Sequence, residues 1–295
     1  MSRHNRCSGI GYRRMIGRTA GGMAIASALM VLGGSAAGQE AAPRRIVSLS
    51  LCADQLLVSF AAPEQIASLS RRATDPVLSY FADAAAQYPH RAYTAESVIE
   101  LRPDLVLIDA STPAATRDML LRLGYRVVEI EAVATVNDAI AQVRDVSALL
   151  GHQREGEVMA GLIETARDRA QRENWGVTAA YYHRRGFVSG ETALVTDILM
   201  VAGLNNAVGN FVVGAGDFLS LEQLVAFPPD YLIVADADPK IVDQGVALLE
   251  HPALVDLFPP ARRIELPERL TVCGGPSLTE AFRTLTNEFQ RVTPR

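Results

Sequence analysis

Two stretches of this chain follow the same pattern, and this repeat constrains the fold more than any other feature. The stretch ESVIELRPDLVLID begins at Glu96 and EQLVAFPPDYLIVAD begins at Glu222, and the two match at an offset of 126 residues as far as Ile108 and Val234. Each begins with an acidic residue, continues as an apolar helical stripe, and passes through a Pro-Asp pair into a buried strand. Two copies of one structural unit predict a chain built from two similar halves.

Both halves also alternate strands with helices. The stretch RRIVSLSLCADQLLVSF predicts a strand over Ile46 to Leu49 and a helix from Asp54 onward. A looser echo, GFVSGETALVTDILMVAG, predicts a strand that begins at Val188 and leads into a second helix. Because such alternation favours parallel strands with right-handed crossovers, we predict an α/β fold of two Rossmann-like lobes with parallel sheets, over residues 44–150 and 175–295.

Residues 151–174 are predicted to connect the lobes as one long α-helix. Apolar residues recur every fourth position from Val158 to Ala170, and no proline interrupts the pattern before Asn174. At about 1.5 Å per residue, a helix of about 20 residues spans ~30 Å, which is the width of a small domain. We expect this helix to be a rigid rod that limits movement of the lobes.

The first 38 residues have the properties of a secretory signal peptide. Five arginines precede any acidic residue, and a short glycine-diluted apolar run, TAGGMAIASALMVLGG, leads to small residues near Ala37 and Gly38. The run is too short and too weakly apolar to cross ~30 Å of hydrocarbon. The pair Arg13-Arg14 is similar to a twin-arginine signal. We predict cleavage near Ala37 or Gly38 and a periplasmic product.

Charge and cysteine content narrow the possible functions. Without residues 1–38 the chain carries 23 basic and 33 acidic residues, a net charge of about −10, and no basic cluster is larger than a pair, which argues against nucleic-acid binding. Two cysteines remain, Cys52 and Cys273. Four alternatives remain for these two cysteines in an oxidising compartment: a disulfide, two free thiols, a contact to the ligand, or packing in the interior.

Sequence signatures of catalysis are missing. The stretch GFVSG does not have the Gly-x-Ser-x-Gly spacing of a nucleophile elbow, GAGDFL lacks the third glycine of a dinucleotide loop, and no Walker sequence occurs. Of the five histidines, only His90 and His183 could meet, and a metal site would need further ligands. We expect no catalytic residues, no metal site and no cofactor.

Four motifs together resemble one known family: RIVSLSLCADQLL, ESVIELRPDLVLI, SGETALVTDILMVAGLNN and LEQLVAFPPDYLIV. They are similar to the periplasmic solute-binding proteins of ABC importers for vitamin B12, iron siderophores and haem, over residues 44–292. The resemblance implies a monomer that captures an iron-siderophore or corrinoid chelate and delivers it to an inner-membrane permease with its ATPase. Alternatives are a haem or free transition-metal carrier of the same fold, or a two-lobed periplasmic enzyme or sensor domain.

In that family, an acidic residue at the outer end of each lobe docks into basic pockets of the permease. Glu96 and Glu222 match this position, one in each lobe. A helix N-terminus alone favours an acid by only ~0.3–1 kcal/mol, so capping is the simpler alternative for both residues. The shared register and the resemblance together favour docking.

The ligand is expected between the lobes, at the carboxyl ends of the parallel strands. The loops YPHRAY and YYHRRG combine aromatic rings, which bury planar groups, with arginines, which pair with carboxylates. The alternative is that these are solvated loops. The predicted ligand-binding residues are Ser50, Leu51, Cys52, His90, Arg91, Tyr93, Tyr182, His183, Arg184, Arg185 and Cys273.

Overall fold

The structure is a computed structural model that describes residues 41–172, 176–183, 186–209, 214, 216–235, 249 and 251–293. The predicted signal segment, and with it the expected cleavage position, lies outside the described residues. All described residues belong to one unit, Ala41–Arg295. Within them, no helix is long and apolar enough to span a membrane.

Short strands form two sheets. The strands are β1 (Ile46–Ser48), β2 (Ile66–Ser70), β3 (His90–Arg91), β4 (Leu105–Ile108), β5 (Val127–Glu129), β6 (Thr178–Tyr182), β7 (Phe187–Ser189), β8 (Asn205–Asn206), β9 (Gly216–Phe218), β10 (Tyr231–Val234) and β11 (Arg263–Glu265).

Helices follow or precede most of these strands. They are α1 (Leu51–Phe60), α2 (Ala82–Ala85), α3 (Ala95–Ile99), α4 (Ala114–Arg122), α5 (Val136–Leu149), α6 (Gln153–Ala170), α7 (Leu194–Val201), α8 (Leu221–Ala226), α9 (Pro252–Leu257) and α10 (Ser277–Val292). Short 3₁₀ turns occupy Pro63–Gln65, Pro260–Arg262 and Glu268–Leu270.

The first sheet is parallel throughout, as predicted. Its order is β3-β2-β1-β4-β5, and β1 pairs with β4 in the register Ile46 to Leu105. Every neighbouring pair in this sheet runs in the same direction. Because side chains alternate across a strand, Leu105 and Leu107 point to one face while Val106 and Ile108 point to the other.

The second sheet is mixed, which corrects the prediction of two parallel sheets. Its order is β11-β10-β6-β7-β9, and β8 also pairs with β6. The pairs β10–β11, β10–β6 and β6–β8 are parallel, whereas β6–β7 and β7–β9 are antiparallel. The reason is a hairpin: the chain reverses after β6, and the amide of His183 donates to the carbonyl of Phe187.

The repeat itself is present, but the sequence matched the wrong strand of the second lobe to β1. Strands β4 and β10 begin at Leu105 and Tyr231, at the offset of 126 that the sequence predicts. The strand beside β4 is β1, and the strand beside β10 is β6. The strand that contains Val188 is therefore the returning arm of the hairpin, and β6 is the counterpart of β1.

Both Pro-Asp pairs anchor the neighbouring strand. Asp104 accepts hydrogen bonds from the amides of Arg44 and Arg45 at 2.7 and 2.9 Å, just before β1. Asp230 accepts from the amide and hydroxyl of Thr178 at 2.8 and 2.7 Å, at the start of β6. These bonds lower the pKa of Asp230. The two aspartates thus do more than start a turn, because each fixes where the adjacent strand begins.

The connecting helix is α6, and it is shorter than the sequence pattern indicates. It begins at Gln153 and ends at Ala170, because Gln171 adopts an extended backbone with φ −57° and ψ 130°. The predicted end near Asn174 lies outside the described residues. The 18 residues of α6 correspond to a length of about 27 Å. This helix packs against α5 and α10.

One buried apolar cluster joins the two lobes. This central cluster contains Leu105 and Leu107 from the first sheet together with Tyr181 and Ile233 from the second, and α1, α5, α6, α7 and α10 contribute to it. Each sheet has a separate cluster on its other face, below α3 and α4 in the first lobe and below α8 and α9 in the second. The lobes therefore share a core on their inner sides, which opposes independent movement.

Candidate functional site

The carboxyl ends of the two sheets meet at a disulfide. Cys52 lies in the first turn of α1, directly after β1, and Cys273 lies in the loop between the Glu268–Leu270 turn and α10. The two cysteines form a disulfide with a Cα–Cα distance of 5.3 Å. Of the alternatives open for these cysteines, the structure has the disulfide, so neither offers a free thiol to a ligand.

The loop that carries Cys273 packs closely on the first lobe. A Cβ atom placed on Gly274 would lie 2.6 Å from the Cβ of Ala139, and one on Gly275 would lie 3.4 Å from Leu56. Gly275 also has a φ of 131°, in the region that favours glycine. The second lobe is therefore attached to the first both covalently and by close packing at this edge.

Ser50 and Leu51 lie at this edge, but their side chains are buried. Ser50 is the N-cap of α1: its hydroxyl accepts a hydrogen bond from the amide of Ala53 at 3.4 Å, and its own amide donates to Ser48 Oγ at 3.2 Å. Leu51 packs as the first residue of the helix. These two side chains fix the turn after β1.

A buried carboxyl group, which the sequence did not identify as special, lies one turn further along α1. Asp54 accepts hydrogen bonds from the amide and hydroxyl of Ser70, at 3.0 and 2.5 Å, so it ties α1 to the end of β2. Burial raises the pKa of Asp54 to about 7, against the opposing effect of hydrogen bonds from Ser70 and Ser48. An aspartate inside the apolar run LCADQLL is the signal that could have indicated it.

The predicted residues of the YPHRAY loop lie at the edge of the first sheet. His90 and Arg91 form β3, and Tyr93 packs beside the outer cluster of the first lobe. Arg91 is exposed, whereas His90 is half-buried and its Nε2 atom has no hydrogen-bond partner within the described residues. The structure therefore places these three residues on β3 and the loop after it, with β2 between them and β1.

Tyr182, in the YYHRRG loop, belongs to the core rather than to an open surface, in contrast to its predicted ligand contact. Its side chain is fully buried, and its hydroxyl donates to the carbonyl of Leu219 at 3.4 Å. Burial, and then the charge of Glu222, raise the pKa of Tyr182. The cause is strand alternation: Tyr181 points to the central cluster, so Tyr182 points to the outer one.

His183 is the best placed of the predicted residues. It follows β6 directly, and its Nε2 lies 3.0 Å from Ser189 Oγ while its Nδ1 lies 3.5 Å from Glu268 Oε1. Its ring packs edge-to-face against Tyr181 and Phe187, at centroid distances of 4.5 and 5.3 Å. Its side chain is 14% exposed. The neighbouring predicted residues Arg184 and Arg185 lie outside the described residues.

Glu268 and Ser189 are candidate site residues that the sequence did not indicate, because both contact His183. Glu268 follows β11, and Ser189 ends β7, so three separate segments bring these groups to His183. An acid just after a predicted strand, in LPERL, was the available signal for Glu268. Among the residues that the structure describes, no group of three or more His, Cys, Asp or Glu side chains is arranged to hold a metal ion.

Glu96 and Glu222 have matching positions on the outer faces of the lobes. Each is the second residue of its helix, α3 or α8, and each is exposed. Thr94 and Ser220 cap the two helices, accepting hydrogen bonds from Ser97 and Gln223 amides at 3.4 and 3.2 Å. Hydrogen bonds from its own amide and from Ser220 lower the pKa of Glu222. Hydroxyl groups thus cap both helices, the Glu222 carboxylate also accepts from an N-terminal amide of α8, and both glutamates remain exposed.

Three surface cavities lie elsewhere. Two, of 430 and 440 Å³, adjoin along α6 and α10 and share Ala170 and Thr286, and a third of 560 Å³ lies between β5 and α5. None of the three is lined by a predicted ligand-binding residue. The candidate site is therefore the edge where the carboxyl ends of the two sheets meet, which we call the strand-end edge, because it carries the polar groups.

Comparison with known proteins agrees with this architecture. Solved structures with the same fold include the periplasmic heme-binding protein RhuT from Roseiflexus sp. RS-1, at 26% identity and a TM-score of 0.71, covering 84% of this chain and 98% of that one. The vitamin B12 binding protein BtuF of Vibrio cholerae has 13% identity and a TM-score of 0.67, covering 86% of this chain and 99% of that one. A periplasmic heme binding protein from Pseudomonas aeruginosa has 21% identity and a TM-score of 0.64, covering 84% of this chain and 92% of that one.

The comparison with curated proteins found no match. Residues 46–257 match the family model described as periplasmic binding protein, which spans well over half of the chain. The resemblance and the two-lobed α/β fold predicted from the sequence are thus confirmed. The chain therefore belongs to the periplasmic binding protein family.

Proposed function

We propose that this chain captures an iron-siderophore or corrinoid chelate in the periplasm and delivers it to an ABC permease in the inner membrane. The observation that carries the proposal is the convergence of the carboxyl ends of both sheets at the Cys52–Cys273 disulfide. In α/β proteins ligands bind outside the carboxyl ends of parallel strands, where loops supply the contacts. The chain contributes affinity and docking, and the ATPase of the importer supplies the work.

His183 is the group we assign to ligand contact. It lies at the strand-end edge, and Ser189 and Glu268 hold its ring in one orientation, so little conformational entropy is lost when the ring meets a ligand. The flanking aromatic rings of Tyr181 and Phe187 limit its freedom further. Arg184 and Arg185, which follow in the sequence, are proposed to pair with carboxylates of the chelate.

Haem is a second candidate ligand. The observation in its favour is the 26% identity with the heme-binding protein RhuT across 84% of this chain, with 98% of that chain covered. A planar macrocycle also suits the aromatic edge around His183. Free metal ions rank below both chelates.

Export by the N-terminal segment completes the proposal. Residues 1–38 are proposed to be a signal peptide that is removed near Ala37 or Gly38. N-terminal sequencing of the protein recovered from periplasm should begin within a few residues of this position. Recovery of chains that still begin at Met1 would contradict the export proposal.

A calorimetric titration tests the ligand class. The mature protein is titrated separately with cyanocobalamin, haemin and a ferric siderophore, and one of the three is expected to bind at a ratio of one per chain. His183→Gln should weaken that binding by roughly ten- to hundredfold, the size of one charge-assisted or metal-directed contact. His152→Gln is a matched control, because His152 bonds Gln65 at the start of α6. Absence of binding for all three chelates would contradict the proposal.

A further inference from the structure

Ser189 and Glu268 approach the two ring nitrogens of His183, the first at hydrogen-bonding distance and the second at ion-pair distance. The hydroxyl of Ser189 lies 3.0 Å from His183 Nε2, and Glu268 Oε1 lies 3.5 Å from His183 Nδ1. The three residues come from the end of β7, the end of β6 and the turn after β11. A serine, a base and an acid that orients the base are the parts of a nucleophilic acyl-transfer site.

Partial burial gives these three residues the setting that such chemistry uses. Ser189 is 5% exposed, and the side chains of His183 and Glu268 are 14% and 25% exposed. Glu268 Oε1 lies close enough to His183 Nδ1 to orient the ring, and the partial burial limits the water that competes with a substrate at these groups. The edge-to-face rings of Tyr181 and Phe187 keep the imidazole plane in place.

The backbone after Ser189 is held in a defined orientation. Asn206 Nδ2 donates to the carbonyl of Ser189 at 2.9 Å, and Thr196 Oγ1 donates to the carbonyl of Gly190 at 2.6 Å. Because carbonyl and N–H point in opposite directions in a trans peptide, the amides of Gly190 and Glu191 point away from Asn206 and Thr196. An amide just after a nucleophile is a usual donor to a developing oxyanion.

We infer that Ser189, His183 and Glu268 form a hydrolytic site for carboxylic esters, in addition to the binding function. Ser189 Oγ attacks the ester carbonyl carbon while His183 Nε2 accepts the hydroxyl proton. The C–O bond to the alcohol breaks, and Nε2 gives the proton to the leaving oxygen. Water then attacks the acyl-serine with Nε2 as base, releasing the carboxylic acid and restoring Ser189.

The site differs from the usual nucleophile elbow, and this difference limits its substrates. Ser189 ends a strand in GFVSG, and α7 begins only at Leu194, so no strand-turn-helix elbow presents the hydroxyl. With the serine almost buried, small acyl groups are expected to reach it faster than large ones. Acetate esters should therefore be cleaved faster than esters of longer acids.

Covalent labelling and ester hydrolysis test the inference on the intact mature protein. The protein is treated with a fluorophosphonate probe and mapped by peptide mass spectrometry, and hydrolysis of p-nitrophenyl acetate is followed in parallel. We expect the label on Ser189, and a loss of roughly a hundredfold or more in hydrolysis for Ser189→Ala and His183→Gln. Ser111→Ala, at an exposed serine after β4, should react like wild type.

Glu268→Gln separates catalysis from packing. The amide keeps the size of the side chain but removes the carboxylate beside His183 Nδ1, so hydrolysis should fall while the melting temperature stays close to wild type. Unlabelled Ser189, or equal hydrolysis by wild type and by folded Ser189→Ala, would overturn the inference. Neither result affects the proposed transport function, which the chelate titration tests separately.

Discussion

The outer faces of the two lobes are alike, whereas their inner edges differ. On the outer faces, a capped helix with an exposed glutamate, a Pro-Asp pair and a buried strand recur at an offset of 126 residues. At the inner edges, the first lobe ends β1 in the turn to α1, but the second lobe ends β6 in a hairpin that places His183 beside Ser189. The repeat is kept where we propose contact with a two-fold partner, and it is lost where one ligand must be contacted from two sides.

Reversing both outer charges should have the largest effect. Glu96→Lys combined with Glu222→Lys places like charges opposite the proposed basic pockets, so uptake of the chelate should fall by about a hundredfold or more, with either single change less severe. Affinity for the ligand in the isolated protein should not change. The measurement is uptake by cells that carry the importer.

Glu100→Lys is the matched control for the charge reversal, because Glu100 is exposed at the end of the same helix as Glu96. It should transport at the wild-type rate. Full uptake by the folded double-lysine variant would refute docking and leave the repeat as shared ancestry.

Removing the disulfide should loosen the inner edge. The double change Cys52→Ser and Cys273→Ser opens a link between residues 221 positions apart, and we expect the free energy of unfolding to fall by ~2–5 kcal/mol. Denaturant unfolding of the variant, and of wild type with and without reductant, measures this. Equal midpoints in all samples would show that the shared core alone holds the lobes together.

Asp54 lies in α1 of the first lobe, and it should make the free energy of unfolding depend on pH. Its folded pKa, about 7, lies above the unfolded value near 3.8, so the folded state binds the proton more tightly. Its contribution to the free energy of unfolding is therefore fully present below pH ~4 and falls as the pH rises towards 7. The total change is on the order of 4 kcal/mol.

Asp54→Asn should remove this fall, and it should flatten the stability profile between pH 4 and 7 in denaturant titrations. Asp83→Asn, at an exposed position in α2, is the control and should keep the wild-type profile. A wild-type profile that is already flat over this interval would show that burial does not raise the pKa of Asp54 in the folded protein.

Ligand-induced movement of the lobes is the smallest effect we expect. The shared central cluster, α6 and the disulfide all oppose rotation of one lobe against the other. Scattering profiles with and without chelate should nearly overlay, with a rotation of only a few degrees. A large compaction on binding would contradict the shared core.

The sequence predicted the repeated unit well because its signals are local. Helix caps, Pro-Asp pairs and apolar runs lie within a few residues of one another, so β4 and β10 occur where expected. The hairpin was missed because a short apolar strand has the same pattern in parallel and antiparallel sheets. Gly186, with a φ of 83°, is the turn signal that could have separated β6 from β7.

The candidate site was less predictable because its contacts are distant in the chain. Glu268 meets His183 across 85 residues, and Cys52 meets Cys273 across 221. Spacing in a sequence carries no information about such pairs until the fold brings the strand ends together. Tyr182 shows the opposite error: a residue type that suits a ligand was assigned to the site, although strand alternation buries it.

Native mass spectrometry of protein isolated from its own periplasm is the most direct test of chelate capture. We expect a chain without residues 1–38 that carries one chelate, whose mass identifies it as a ferric siderophore, a corrinoid or haem. Reduction of the disulfide adds two hydrogens, which serves as an internal check on the assignment. A population of bare chains that takes up none of these chelates when they are supplied would contradict the account.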